Sequence, residues 1–253
     1  MVVTDINRNL AATLKLCGPA FLSEPESVQK LCTVLLAIVT KNHPCQQDMG
    51  DDEDPDSLEE NSEFDWQVVD CAFDVVIGLA GAFGEDFGEL WKMFEKPIIK
   101  YAGSSESVER STAVGTIAEC ISRMGAGISP YTSSLLKVLL HRLSDEDPET
   151  KSNAAFAVGN LCFATKKKKL IVENYPAIFQ KLEPLLQVTS HRLLDNAGGC
   201  VARMIMAHPD AVPMGEVLPA LIGILPLKED YEENEPIFEC VVKLCKSPAL
   251  LAF

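Results

Sequence analysis

Paired cysteine spacing is missing from this chain of 253 residues. Its nine cysteines, at positions 17, 32, 45, 71, 120, 162, 200, 240 and 245, form no CxxC, and nearly all lie in apolar stretches. An odd count without pairing argues against a disulfide framework and for buried thiols in a reducing compartment. Aromatic residues are scarce, 7% of a chain that is 47% apolar, so small and aliphatic residues dominate. Tight stacking of helix on helix requires that bias. Positive charge is in deficit, with 22 Lys and Arg against 37 Asp and Glu and a net charge of −15. Such a surface repels phosphate backbones, which excludes nucleic acid as a direct ligand. It attracts basic partners and speeds their encounter.

Long apolar runs are also lacking. The longest, Leu31 to Val39, is too short to cross a bilayer, and no signal peptide is expected. A soluble intracellular protein without membrane contact is expected. Its four histidines, 43, 141, 191 and 208, are far apart and make no HExxH or metal spacing with cysteine, and no GxSxG occurs. No catalytic, cofactor or metal residue is expected, and the chain is not expected to be an enzyme.

What the chain does contain is a helical phrase repeated about every forty residues. Glu109-Arg-Ser-Thr-Ala-Val-Gly-Thr-Ile-Ala118 matches Asn153-Ala-Ala-Phe-Ala-Val-Gly-Asn-Leu-Cys162, with Gly115 on Gly159 at an offset of 44. Asn153 then falls on Asn196 at an offset of 43, and Val241 follows Val201 by 40. Such periods in helix pairs mean HEAT or armadillo repeats. The expected fold class is all-α, an α-α superhelix of about five to six HEAT repeats forming one array over 1–253. Function in such a fold lies on an extended surface of inner helices rather than in a closed pocket.

Each repeat is read as an outer helix followed by an inner one. A lone inner helix is expected over about Val3 to Leu22. An outer helix starts at Ser23-Glu-Pro-Glu26, a capping pattern, and stops at Asn42-His-Pro44. An acidic insert, 46–63, carries nine Asp or Glu and no Lys or Arg between Asp48 and Glu63, and is expected to be disordered. Asp52, Asp54, Asp56 and Glu63 match four calcium-loop positions, but Ser57 stands where Gly is required and Pro55 lies inside, so a solvated acidic strand is the better reading. Gly78-Leu-Ala-Gly-Ala-Phe-Gly84 lies in an apolar helix with no preceding strand, so it serves packing and not phosphate binding. Later pairs are expected at about 130–143 with 148–165, 174–188 with 190–207, and 214–226 with 230–246. The chain opens and closes on inner helices without polar caps, so it is expected to be a piece of a longer solenoid, monomeric as a fragment.

The candidate binding residues lie on the inner helices. Asn153, Phe156 and Asn160 share one stripe at i, i+3, i+7, flanked by core residues Ala157, Val158 and Leu161. By register the stripe carries Glu109, Thr112 and Thr116 one repeat earlier, and Asn196, Gly199 and Arg203 one repeat later. Glu229, Asp230, Glu232, Glu233 and Glu235 are expected at the start of the last inner helix. These parts suit a lysine side chain. Phe156 covers its methylene stem, Gly199 leaves room, Asn196 offers a carbonyl oxygen, and Glu232 or Glu233 supplies charge. A charge-assisted bond in a sheltered groove contributes roughly 1.5–3 kcal/mol, so several lysines along an extended peptide are needed. For Glu229 and Asp230 the simpler reading is that acids favour a helix N-terminus. Lys166 to Lys169 is read as a solvated basic turn.

Asp195-Asn-Ala-Gly-Gly-Cys-Val-Ala-Arg-Met-Ile-Met-Ala-His-Pro209 resembles a late inner helix of importin-β-type nuclear transport receptors, the karyopherin-β family. Val217-Leu-Pro-Ala-Leu-Ile-Gly-Ile-Leu-Pro-Leu-Lys-Glu-Asp230, Ser152 to Gly159, Cys17-Gly-Pro19 and Asn42-His-Pro-Cys-Gln-Gln47 are similar to stretches of the same family. The resemblance spans essentially the whole chain and implies a C-terminal portion of such a receptor, shuttling between cytoplasm and nucleus. It implies basic protein cargo, especially core histone tails with their histone chaperones, and ribosomal proteins. It also implies release by the small GTPase Ran through N-terminal repeats that this chain lacks.

Overall fold

Apolar residues recurring at three and four along segments of ten to thirty residues can be buried only as helices packed side by side. The computed structural model describes residues 2–21, 24–46 and 55–246, and among these the regular elements are all helical. The chain divides into two units, Met1–Gly127 and Ile128–Phe253.

The first unit holds α1 (Val2–Phe21), α2 (Pro25–Val39), α3 (Pro55–Phe83), α4 (Gly88–Tyr101) and α5 (Ser107–Met124). α1 packs on α3, and α3 packs on α5. Pro25 begins α2 behind Glu24, whose carboxylate accepts from the Ser27 hydroxyl at 3.1 Å, and Ser23 of the expected cap lies outside the described residues. The apolar face of α4 buries Trp91, Phe94, Ile98 and Tyr101. Residues 63–101 are long and apolar enough to cross a membrane, unlike the Leu31–Val39 run. Their apolar side chains instead serve the core: Val68, Val69, Ala72, Phe73, Val76 and Leu79 are buried, and Gly84 breaks the segment at φ 57°. Gly78 lies inside α3, where an added Cβ would sit 3.0 Å from Leu14 of α1, so that glycine does serve close packing.

The acidic insert differs in part from its reading. Residues 47–54, and with them Asp52 and Asp54 of the calcium pattern, lie outside the described residues. Residues 55–63, expected as disordered, form the first part of α3. Pro55 suits a helix start, because its missing N–H is one that a first turn leaves unbonded anyway.

The second unit holds α6 (Thr132–Arg142), α7 (Pro148–Ala164), α8 (Lys168–Leu182), α9 (His191–Ala207), α10 (Met214–Gly223) and α11 (Asn234–Lys246). Asp147 caps α7 by accepting from the Thr150 backbone N–H at 2.7 Å and its hydroxyl at 2.6 Å, with Pro148 at the first helical position. The second helices of successive pairs pack together, α7 on α9 and α9 on α11. The spacing of α7 and α9 depends on Gly159, where an added Cβ would meet the Cys200 backbone at 2.7 Å. Ala157, Val158 and Leu161 are buried as the register required. Cys32, Cys71, Cys120, Cys162, Cys200 and Cys240 are buried free thiols, whereas Cys17 and Cys245 are exposed. Burial pushes these buried thiols up, Cys200 to about 12 and Cys240 to about 11.

Candidate peptide-binding site

The candidate residues of the second unit do converge, and the contact is made by the segment between α10 and α11. That segment is not the start of a helix. Residues 228–230 are a bent connection, Tyr231–Glu233 is a single 3-10 turn, and α11 begins only at Asn234. The reason is Asp195 on α9. Its carboxylate, 1% exposed, accepts the backbone N–H groups of Lys228, Glu229 and Asp230 at 3.0, 2.8 and 3.0 Å. A buried carboxylate must be satisfied in this way, and these bonds hold the three amides away from helical pairing. Glu229 returns the contact by accepting the Arg192 N–H at 2.9 Å. Arg192 in turn donates to Glu149 of α7 at 2.8 Å.

Asn196, 4% exposed, ties its neighbours together through its amide nitrogen. Its amide nitrogen donates to the Ser152 hydroxyl at 3.2 Å, the Arg192 carbonyl at 3.1 Å and the Asp230 carboxylate at 3.0 Å. It therefore joins α7, α9 and the 228–230 connection. Asn160 donates back to the Phe156 carbonyl at 3.0 Å, and Asn153 is half-buried on the same face of α7.

The cradle expected for a lysine stem is filled by the chain itself. Glu233 is 2% exposed, and its carboxylate occupies the space that the missing Cβ of Gly199 leaves, touching the place where that atom would be. Arg203 donates to both Glu233 oxygens, to one of them at 2.9 Å. The Arg203 guanidinium lies 5.2 Å from the centre of the Phe156 ring. Carboxylate fork, aromatic face and glycine gap thus hold an internal arginine. Burial raises the Glu233 carboxyl above the usual range, while hydrogen bonds and charge from Arg203 act to lower it.

Glu229, Glu232 and Glu235 remain exposed along this edge, with Asp230 half-buried. Glu109 belongs to the other unit, where it accepts from the Ser104 hydroxyl at 2.6 Å. Thr116 of its stripe is 2% exposed and donates to the Thr112 carbonyl at 2.9 Å. The stripe pattern passed over Asp195 and underused Arg203. A signal was present, since an acid inside an otherwise apolar helix demands partners of its own. Among the described residues no cluster of three His, Cys, Asp or Glu could hold a metal.

The fold is that of helical-repeat proteins. A designed armadillo repeat protein, YIII(Dq)4CqI, superposes with a TM-score of 0.60 at 17% identity, covering 95% of this chain and 92% of that one. A second designed armadillo repeat protein, solved in complex with the peptide (KR)4, gives 0.56 at 18% identity, covering 91% and 90%. The family model described as "Importin subunit beta-1-like, TPR repeats" matches residues 22–189. The chain belongs to the importin-β family. It is 38% identical over 224 residues to the probable importin subunit beta-4 of Schizosaccharomyces pombe, and 36% identical over 235 residues to importin-4 of Homo sapiens. These matches cover 85% and 92% of this chain but 21% of each relative, so the chain spans about a fifth of their length.

Proposed function

We propose that this chain is the segment of a nuclear import receptor that binds basic, lysine-rich localisation signals, such as those of core histones and ribosomal proteins, along the second helices of its second unit. The observation that carries the reading is the acidic edge on a held backbone. Asp195, Asn196 and Arg203 pin the 228–233 connection at several points, and Glu229 and Glu232 on it, with Glu235 at the start of α11, stand exposed. Carboxylates carried on a held backbone lose less freedom when a cation arrives, which is what lets weak individual ion pairs add along a peptide. The importin names of its relatives and the basic peptide held by one designed protein of this fold support it. The role is binding and not catalysis.

The internal arginine refines the expected chemistry. Incoming lysines meet the exposed carboxylates and Asn153, because Glu233 and the Phe156 face are engaged with Arg203. A fluorescent histone-tail peptide is measured beside a lysine-scrambled control at two salt concentrations. Sequence-dependent binding that drops on Glu232→Lys with Glu235→Lys supports the reading. Equal, salt-sensitive binding of both peptides means that the acidic surface only gathers basic chains, and would favour an assembly scaffold instead.

A further inference from the structure

Four consecutive lysines, Lys166 to Lys169, join α7 to α8 in a chain of net charge −15. All four are exposed. Their backbone is not loose. The buried Ser129 hydroxyl accepts the Lys166 N–H at 2.9 Å, and the buried Thr165 hydroxyl accepts the Lys167 N–H at 3.1 Å. Thr165 is held in turn by Thr132, hydroxyl to hydroxyl at 2.6 Å. The turn therefore presents its charges from a fixed frame.

Helix stability does not account for the run. Lys166 and Lys167 follow the C-terminus of α7, where cations are favoured. Lys168 and Lys169 occupy the first turn of α8, where the helix dipole disfavours them, and that turn has no acidic residue and no side-chain cap. Nor does local pairing account for Lys167 and Lys168. Among the described residues Lys167 and Lys168 have no ion-pair partner, and Lys169 reaches only Glu173, at 3.8 Å with both side chains well exposed. Lys168 stands near His208, whose ring is held toward its neutral form first by burial and then by that lysine's charge. Phe163, in the last turn of α7, is 52% exposed on the approach to the run.

We infer that the Lys166–Lys169 turn is a docking surface for an acidic segment of a partner protein, a run of Asp and Glu with an apolar residue beside it for Phe163. Charge complementarity selects this occupant. The turn offers a short basic edge that a short acidic segment can match, whereas the remainder of the chain is net acidic and opposes a long polyanion. This surface is separate from the acidic edge proposed for basic cargo.

The full chain is titrated with a labelled oligoglutamate peptide, against an oligoglutamine control, at low and physiological salt. Oligoglutamate binds and oligoglutamine does not. Lys167→Glu with Lys168→Glu weakens binding by on the order of tenfold or more, and Lys167→Gln with Lys168→Gln by less. Circular dichroism melts show that each variant is folded. Binding of the basic histone-tail peptide, read in the same samples, is not weakened, so failure here is distinct from failure of the cargo reading. The inference is overturned if oligoglutamate binds neither form or both equally. It is also overturned if a single-stranded oligonucleotide of matched charge, or vesicles of anionic lipid, bind the turn more tightly than the peptide.

Discussion

Glu233 shows what burying a charge demands. Desolvation raises its carboxyl, so Glu233 by itself favours the folded state when protonated, and that contribution declines as pH rises through its raised value. Arg203 offsets the penalty at pH values where Glu233 is ionised. Arg203→Ala is therefore expected to cost about 3–5 kcal/mol at neutral pH, because it leaves a buried carboxylate uncompensated. The cost shrinks at acidic pH, where the carboxylate takes up a proton instead. Urea titrations of both proteins across that range check the sign, and a loss that grows on acidification would refute it. Replacing both partners, Arg203→Met with Glu233→Met, is expected to cost much less, since an apolar pair needs no compensation. Asp195 is the second residue of this kind. Asp195→Ala is expected to destabilise by at least about 1.5–3 kcal/mol, the scale of one charge-assisted bond. Hydrogen exchange locates the effect, with the Lys228, Glu229 and Asp230 amides speeding up first.

At the scale of elements, the approach of α7 to α9 is limited by backbone rather than by side chains. An added methyl at Gly159 meets the Cys200 main chain, which cannot swing aside. Gly159→Ala is expected to cost roughly 1–3 kcal/mol by overpacking, even though alanine is the better helix former. Gly199→Ala meets the Glu233 carboxylate, so it should release that side chain and disturb the Arg203 contact as well. A denaturant midpoint for the first variant, and a shifted Glu233 titration for the second, separate the two causes. The expected boundaries of α7 and α9 were close because Asp147-Pro148 and His208-Pro209 are strong local stop and start signals. The start of α11 was misplaced because nothing near Asp230 in sequence shows that its amide is bonded to a residue 35 positions away.

For the whole molecule, the cysteines and the charge give the simplest tests. Burial keeps most thiols protonated and out of reach, so alkylation of the native chain at neutral pH should label Cys17 and Cys245 first. Rapid labelling of Cys162 or Cys200 under native conditions would contradict their burial. The net charge of −15 predicts that affinity for a basic peptide falls steadily with added salt. The decline should be shallower in Glu232→Lys with Glu235→Lys, which removes carboxylates from the exposed edge. Equal slopes would place the contact elsewhere.

Periodicity, caps and composition were enough to read helix pairs, their order and the buried thiols, because each depends on spacing within one helix or on a residue's own hydrophobicity. The same spacing put Asn153, Phe156, Asn160, Asn196 and Gly199 on inner helices. It did not say what faces them. That Gly199 makes room for Glu233, that Phe156 lies under Arg203 and that the Asn196 amide nitrogen serves Ser152, Arg192 and Asp230 was decided only in tertiary structure. A helix stripe fixes direction from the axis, whereas occupancy depends on which side chain from the next pair reaches the space and is best compensated for its desolvation there.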